Sequence, residues 1–330
     1  MQKTIYIFSD GELQRQGNTL CYKTQEGKRF LPVEDIHEIM VFGEVECNKK
    51  LLEFLSQTEI MMHYFNHYGY YMGTFYPRMH YNSGFVILKQ AEYYLDQEKR
   101  LKLARNFVRG ALLNILQVLK YYHKRGVSLS ETIEQIESAE TLIQTVPGIS
   151  ELMALEGNIR ETYYQAFDVI LDNPDFTFEK RSRRPPQNNL NTLISFGNSL
   201  LYTVVLSEIY KTHMDPRIGF LHATNFRRFS LNLDVAEIFK PIIIDRLIFT
   251  MIGTGMVTGK DFEKESGGVV LKENARKRFV EELDKRLRTT IKHRSVGHEV
   301  SYRRLIRMEI YKIEKHIMGE QEYKPFVSQW

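Results

Sequence analysis

The hydrophobic pattern changes character once along this chain. Through residue 84 the apolar residues come in short β-branched and aromatic runs separated by turn signals, and beyond it they recur at helical spacing. A chain segregated in this way predicts an α+β fold, with a small N-terminal β-sheet domain over 1–84 and a larger all-helical domain over 85–330. At 330 residues there is enough chain for two cores.

In the first part, strands are expected over 4–8, 19–22, 29–32, 36–42, 60–64 and 70–76. A hairpin is expected about Glu26-Gly27, a turn at Asp10-Gly11, and a short helix over 48–57 through Leu51, Leu52 and Leu55. Asn82-Ser83-Gly84 reads as the hinge. Leu88, Ala91, Leu95, Leu101, Ala104, Val108, Ala111, Ile115 and Leu119 then mark a helical stripe with one polar interruption at Glu98. Further helices are expected over 129–144, 149–171, 188–211, 232–252, 272–292 and 299–318.

Charge follows the same division. The total is only +4, but residues 1–85 carry 8 basic and 10 acidic side chains, leaving a surplus of +6 for the remainder. Residues 257–330 hold 17 basic against 12 acidic groups, which points to phosphate-bearing partners. Cys21 and Cys47 form no CxxC, so a disulfide framework or thiolate zinc site is not expected. The start of the chain lacks a signal-peptide core, and Asp245 and Arg246 interrupt the most apolar stretch, 241–257. A cytoplasmic protein without a membrane span is the expectation.

Several motifs are tempting and weak. Gly253 to Lys260 resembles a phosphate loop but has three residues, not four, between Gly255 and Gly259, and Asp261 replaces the metal-binding hydroxyl. A turn between helices is expected there. His63 and His67 stand four apart in a strand and turn, where they do not share a face, so a structural or surface role is expected. Lys180-Arg181-Ser182-Arg183-Arg184-Pro185-Pro186 cannot be a continuous helix and reads as a solvated or phosphate-binding loop.

A distributed set carries more chemistry. Glu156 lies among Met153, Leu155 and Ile159, with Arg160 one turn on as a possible partner. Asp234 and Glu237 share one helix face, and His222 lies in a largely apolar approach to that helix. One imidazole with two or three carboxylates is an oxygen-rich set suited to Mg²⁺ or Mn²⁺ more than to zinc.

At these residues the chain resembles the CRISPR-associated endonuclease/integrase family of spacer acquisition. The resemblance rests on Leu155-Glu156-Gly157 with Tyr163-Tyr164 and Phe167, on Arg184-Pro185-Pro186 with Asn188, Asn191 and Ser195-Phe196-Gly197, on Gly219-Phe220-Leu221-His222, and on 230–241. Gly84 with Leu88-Lys89-Gln90, and Tyr323-Lys324-Pro325-Phe326, extend it to both ends of the helical region.

The resemblance implies a divalent metal, Mg²⁺ or Mn²⁺, held by Glu156, His222 and Glu237, the catalytic residues. It makes Asp234 an outer partner or alternative ligand, and places Asn191 beside metal or phosphate. It implies phosphodiester hydrolysis and 3′-hydroxyl transesterification, inserting protospacer DNA into a CRISPR repeat. Arg181, Arg183, Arg184, Arg227 and Arg228 then become DNA-backbone contacts, joined by Arg276, Lys277, Arg278, Arg286, Arg288, Lys292 and Arg294. The partners implied are double-stranded and branched DNA, a second copy of the chain joined through the β domains, and a small ferredoxin-like adaptation protein. The alternative from another class is a catalytically inert DNA-binding scaffold of the same fold.

Overall fold

The computed structural model describes residues 3–78, 81, 83–223, 229–265, 267–292 and 297–329. Eight strands and one helix open the chain: β1 (Lys3–Ile7), β2 (Gly11–Gln16), β3 (Thr19–Thr24), β4 (Gly27–Pro32), β5 (Ile36–Val41), β6 (Val45–Cys47), α1 (Lys49–Gln57), β7 (Met61–Phe65) and β8 (Tyr71–Phe75). They form two four-stranded sheets, ordered β1-β5-β7-β8 and β4-β3-β2-β6. The hairpin expected about Glu26-Gly27 is the β3–β4 pair. Gly11, expected in a turn, instead starts β2, which pairs with both β3 and β6. Leu13, Leu20, Ile39, Leu51, Leu55 and Met62 close a core between the sheets and α1.

From Gly84 the chain is mainly helical: α2 (Gly84–Leu95), α3 (Gln97–His123), α4 (Ser130–Thr145), α5 (Ile149–Leu171), α6 (Asn189–Ile209), α7 (Leu231–Lys240) and α8 (Arg246–Gly253). The expected stripe over 88–119 is two helices. Asp96 ends α2, and its carboxylate accepts the Lys99 N–H at 3.0 Å to cap α3. The expected helix over 232–252 is α7 and α8 joined by a π-helical turn, Pro241–Asp245.

The larger region is not all-helical. Two short hairpins interrupt it, β9 (Phe262–Glu265) with β10 (Gly268–Leu271), and β11 (Thr290–Lys292) with β12 (Glu299–Ser301), around α9 (Glu273–Arg288) and before α10 (Tyr302–Ile317). Strands of three or four residues carry too little alternation to register as a pattern. The first hairpin braces the basic loop: Val269 N–H donates to Pro186 O at 2.8 Å, and Thr192 Oγ1 donates to Val269 O at 2.9 Å.

Helix α6 is the one described helix long and apolar enough to cross a membrane, and 83% of its apolar window lies inside the fold, as in a core helix. Its far end meets the first sheet at a buried charge cluster. Glu208 accepts from Arg307 Nε at 2.7 Å and pairs with His37 Nε2 at 2.9 Å, while Arg303 Nη2 reaches Glu38 Oε1 at 2.8 Å. His63 is fully buried between Thr74 Oγ1 and Ser207 Oγ, at 2.8 and 2.9 Å, which is a structural placement. His67 is exposed.

Candidate metal centre

Three segments converge on one site. Helix α5 brings Glu156 and, one turn later, Arg160. Helix α7 brings Asp234, Glu237 and Lys240. The loop 219–222 brings His222, and the side chains of Gln90 and Arg100 hold that loop and the segment before it. Gln90 donates to Asp215 O and Ile218 O at 2.9 and 2.6 Å, and Arg100 Nε donates to Phe220 O at 2.8 Å. A β-carbon on Gly219 would lie 2.8 Å from Asp234 Oδ2 and from the Ser230 carbonyl carbon, so only glycine lets the loop approach α7 this closely.

Asp234 is fully buried and fully engaged. Its Oδ2 accepts from Phe220 and Leu221 N–H, and its Oδ1 accepts from the N–H of His222 and from its Nδ1, at 2.9 and 2.8 Å. No lone pair is left for an ion, so the geometry fits an orienting group, not an alternative ligand. Pairing at Nδ1 turns Nε2 into the available donor atom of His222. Burial would lower the His222 pKa, but the hydrogen bond to Asp234 and the charges of Asp234 and Glu237 together outweigh it, and the net direction is upward.

The two glutamates face each other across two cations. Arg160 Nη2 donates to Glu237 Oε2 at 2.5 Å and its Nε reaches Glu156 Oε1 at 3.4 Å, while Lys240 Nζ pairs with Glu237 Oε1. Arg160 is thus not the helix-surface partner of Glu156 alone but a buried bridge between both carboxylates. Glu156 and His222 remain 22% and 21% exposed, so the site opens to solvent on their side, whereas Glu237 is buried. Burial and the Glu237 charge push the Glu156 pKa up. Burial opposes ionisation of Glu237 too, but Lys240 and Arg160 hold it down to about 2. Further along, Asp245 in the π-helical turn is buried, and desolvation pushes its pKa up to about 7.

Among the described residues no three His, Cys, Asp or Glu side chains already converge as a metal cluster. Arg160 and Lys240 hold the carboxylate oxygens that an ion would use. Two carboxylates and an imidazole nitrogen without a hydrogen bond among the described residues are nonetheless a donor set that fits Mg²⁺ or Mn²⁺, and a cation would relieve the repulsion between Glu156 and Glu237.

The other expected residues divide. Asn191, expected beside metal or phosphate, is buried with its amide committed to the chain: Nδ2 donates to Lys180 O, and Oδ1 accepts from Arg181 Nη1 and Ser182 N–H. Arg181, expected on DNA, turns inward to Asn191 and to Ser195 Oγ at 3.0 Å. Arg183 and Arg184 are exposed. Arg227, Arg228 and Arg294 lie outside the described residues. Arg276 donates to His67 O, Arg278 pairs with Asp261, and Arg286 donates to Ile242 O, which ties these three to the fold. The glycine-rich segment is a turn, with Asp261 capping Thr258.

Lys240 and Asp245 were not legible as members of the site. Lys240 follows Glu237 by three residues, a spacing that signals a pair. Asp245 stood out only as a charge in an apolar stretch.

The family model described as CRISPR associated protein Cas1 matches residues 5–285. The chain belongs to the CRISPR-associated Cas1 family. It is 59% identical over 330 residues to a CRISPR-associated endonuclease Cas1 of Thermodesulfovibrio yellowstonii, covering 100% of both chains. It is 50% identical over 321 residues to the CRISPR-associated endonuclease Cas1 of Thermotoga maritima, covering 97% of this chain and 98% of that one. A solved Cas1 structure from Thermotoga maritima superposes with a TM-score of 0.88 at 49% identity, over 98% of this chain and 100% of that chain. The Cas1 fold therefore spans this whole chain, from the paired sheets to the helices that carry Glu156 and Glu237.

Proposed function

We propose that the chain is a metal-dependent DNA endonuclease and integrase of CRISPR adaptation, with Glu156, His222 and Glu237 as the metal ligands and catalytic residues. Its near full-length identity to proteins named CRISPR-associated endonuclease supports the nuclease activity. The observation that supports the site is the Asp234–His222 pair, which engages Nδ1 and leaves Nε2 as the ring's other donor atom, close enough to two carboxylates on separate helices for its charge to act on both.

When bound, Mg²⁺ or Mn²⁺ would supply charge neutralisation at the phosphodiester in an in-line displacement. The chain's own residues do the rest. Asp234 fixes the His222 ring and its tautomer, and Gly219 permits that contact. Arg183 and Arg184 stand exposed beside the braced loop and suit the DNA backbone. In integration the 3′-hydroxyl oxygen of the incoming strand bonds to a repeat phosphorus as the bond to the leaving 3′-oxygen breaks. The attacking hydroxyl gives up its proton and the leaving oxygen takes one. In hydrolysis a water takes the place of the hydroxyl.

This reading includes a two-domain division at residues 84/85, a homodimer joined through the β sheets, a small ferredoxin-like partner and a cytoplasmic setting. The test is DNA cleavage and strand transfer with Mn²⁺ or Mg²⁺, the partner and repeat DNA supplied, for wild type, Glu156→Ala, His222→Ala and Glu237→Ala. Activity only in wild type supports it. Activity in all four removes the site assignment, and activity in none favours an inert scaffold.

A further inference from the structure

Arg160 is, with Lys240, one of the two cations that a metal ion must displace, and the one that touches both glutamates. Its guanidinium bridges Glu237 and Glu156, and it is buried. A buried guanidinium that gives up its carboxylates needs another anion, because an unpaired buried charge is strongly destabilising. A carboxyl group that can supply this anion is already in place. Asp245 is fully buried and both of its carboxylate oxygens lack a hydrogen-bond partner, as does Arg160 Nη1. The buried hydroxyl of Tyr163, one turn beyond Arg160 on α5, lies close enough to Asp245 to act on its carboxyl group while falling short of full hydrogen-bond geometry. Native interiors rarely leave this many polar atoms unsatisfied together.

The backbone explains why Asp245 faces the site. In an unbroken α-helix, eight residues would rotate Asp245 about 80° away from Glu237. The π-helical turn Pro241–Asp245 inserts one residue, which returns Asp245 to within about 20° of that face. Helices α8 and α5 pack together. Among the neighbouring charges that act on Asp245, that of Arg160 is the largest.

We propose that Arg160 and Asp245 form a counter-charge exchange: Arg160 neutralises Glu156 and Glu237 while the centre is empty of metal, and passes to Asp245 when a divalent cation arrives. Asp245 is a positioning residue that lets the metal enter without stranding Arg160. The exchange rests on the metal-centre reading above, because it needs the cation to bind Glu156 and Glu237.

The test is a Mn²⁺ titration followed by electron paramagnetic resonance on wild type, Asp245→Asn, Arg160→Gln and the double variant, each first checked by circular dichroism and melting. Asp245→Asn should weaken Mn²⁺ binding at least fivefold, because Arg160 has nowhere to go. In the Arg160→Gln background the same change should cost less than twofold. An equal loss in both backgrounds, or no loss in either, overturns the exchange. Should Asp245→Asn not fold, a wild-type structure with Mn²⁺ bound decides it. Arg160 on Asp245 supports the exchange, and Arg160 still on Glu237 beside a bound ion overturns it alone. Absence of Mn²⁺ binding by folded wild type overturns both the exchange and the metal-centre reading.

Discussion

His222 Nδ1 stands 2.8 Å from Asp234 Oδ1, and the same carboxylate accepts three backbone N–H groups of the loop that carries His222. One buried side chain therefore sets the position of the histidine, the direction of its ring and its tautomer. Asp234→Asn keeps the shape but replaces an acceptor oxygen by a donor nitrogen. We expect it to lower metal affinity and DNA cleavage by about 10- to 100-fold. Melting of the variant alongside cleavage assays checks this, and an unchanged activity contradicts the orienting role.

Gly219→Ala should act through the same contact. The added methyl group meets Asp234 Oδ2 and the Ser230 backbone at 2.8 Å, a distance that forces the loop off α7. We expect a loss of about 1–3 kcal/mol in stability together with a large loss of activity, measured by urea unfolding and cleavage.

The basic loop separates structural from DNA-facing arginines. Arg183→Ala and Arg184→Ala should each weaken DNA binding and reduce the salt slope of the binding constant by about 1, with melting unchanged. Arg181→Ala should instead lower the melting temperature, since Arg181 holds Asn191 and Ser195. Binding isotherms at several salt concentrations distinguish the two behaviours.

Sequence reasoning reached this site unevenly, and the reasons are physical. Helices α4, α5 and α6 were legible because long amphipathic or apolar periods repeat their signal many times. Asp234 and Glu237 could be placed on one face by their spacing, yet that Asp234 is the one committed to the 219–222 loop depended on the loop folding back, which is a tertiary contact. Asn191 and Arg181 drew attention as polar residues in a cluster, and their mutual hydrogen bonds emerge only when 180–182 folds over the start of α6. Asp245 was hidden because a π-helical turn shifts the phase of the helix, and periodicity arguments assume that the phase is constant.

Acid should loosen the junction between the first sheet and the helices. Burial alone would raise the pKa of Glu208, but the hydrogen bond from His37 and the charges of His37, Arg303 and Arg307 hold it down to about 2. A depressed carboxylate contributes stability that is fully present above its unfolded value, near 4.5, and is lost as pH falls toward 2. Wild type should therefore lose stability across that window, and Glu208→Gln, although less stable at neutral pH, should lose less over the same range. Urea unfolding as a function of pH measures both.

The metal assignment is tested most directly by anomalous scattering at the manganese edge from Mn²⁺-soaked crystals. The account predicts an anomalous peak within about 2.5 Å of a Glu156 oxygen, a Glu237 oxygen and His222 Nε2, with Asp234 still on His222 Nδ1. A peak held by Asp234 in place of Glu237, or one away from Glu156 and His222, would contradict it.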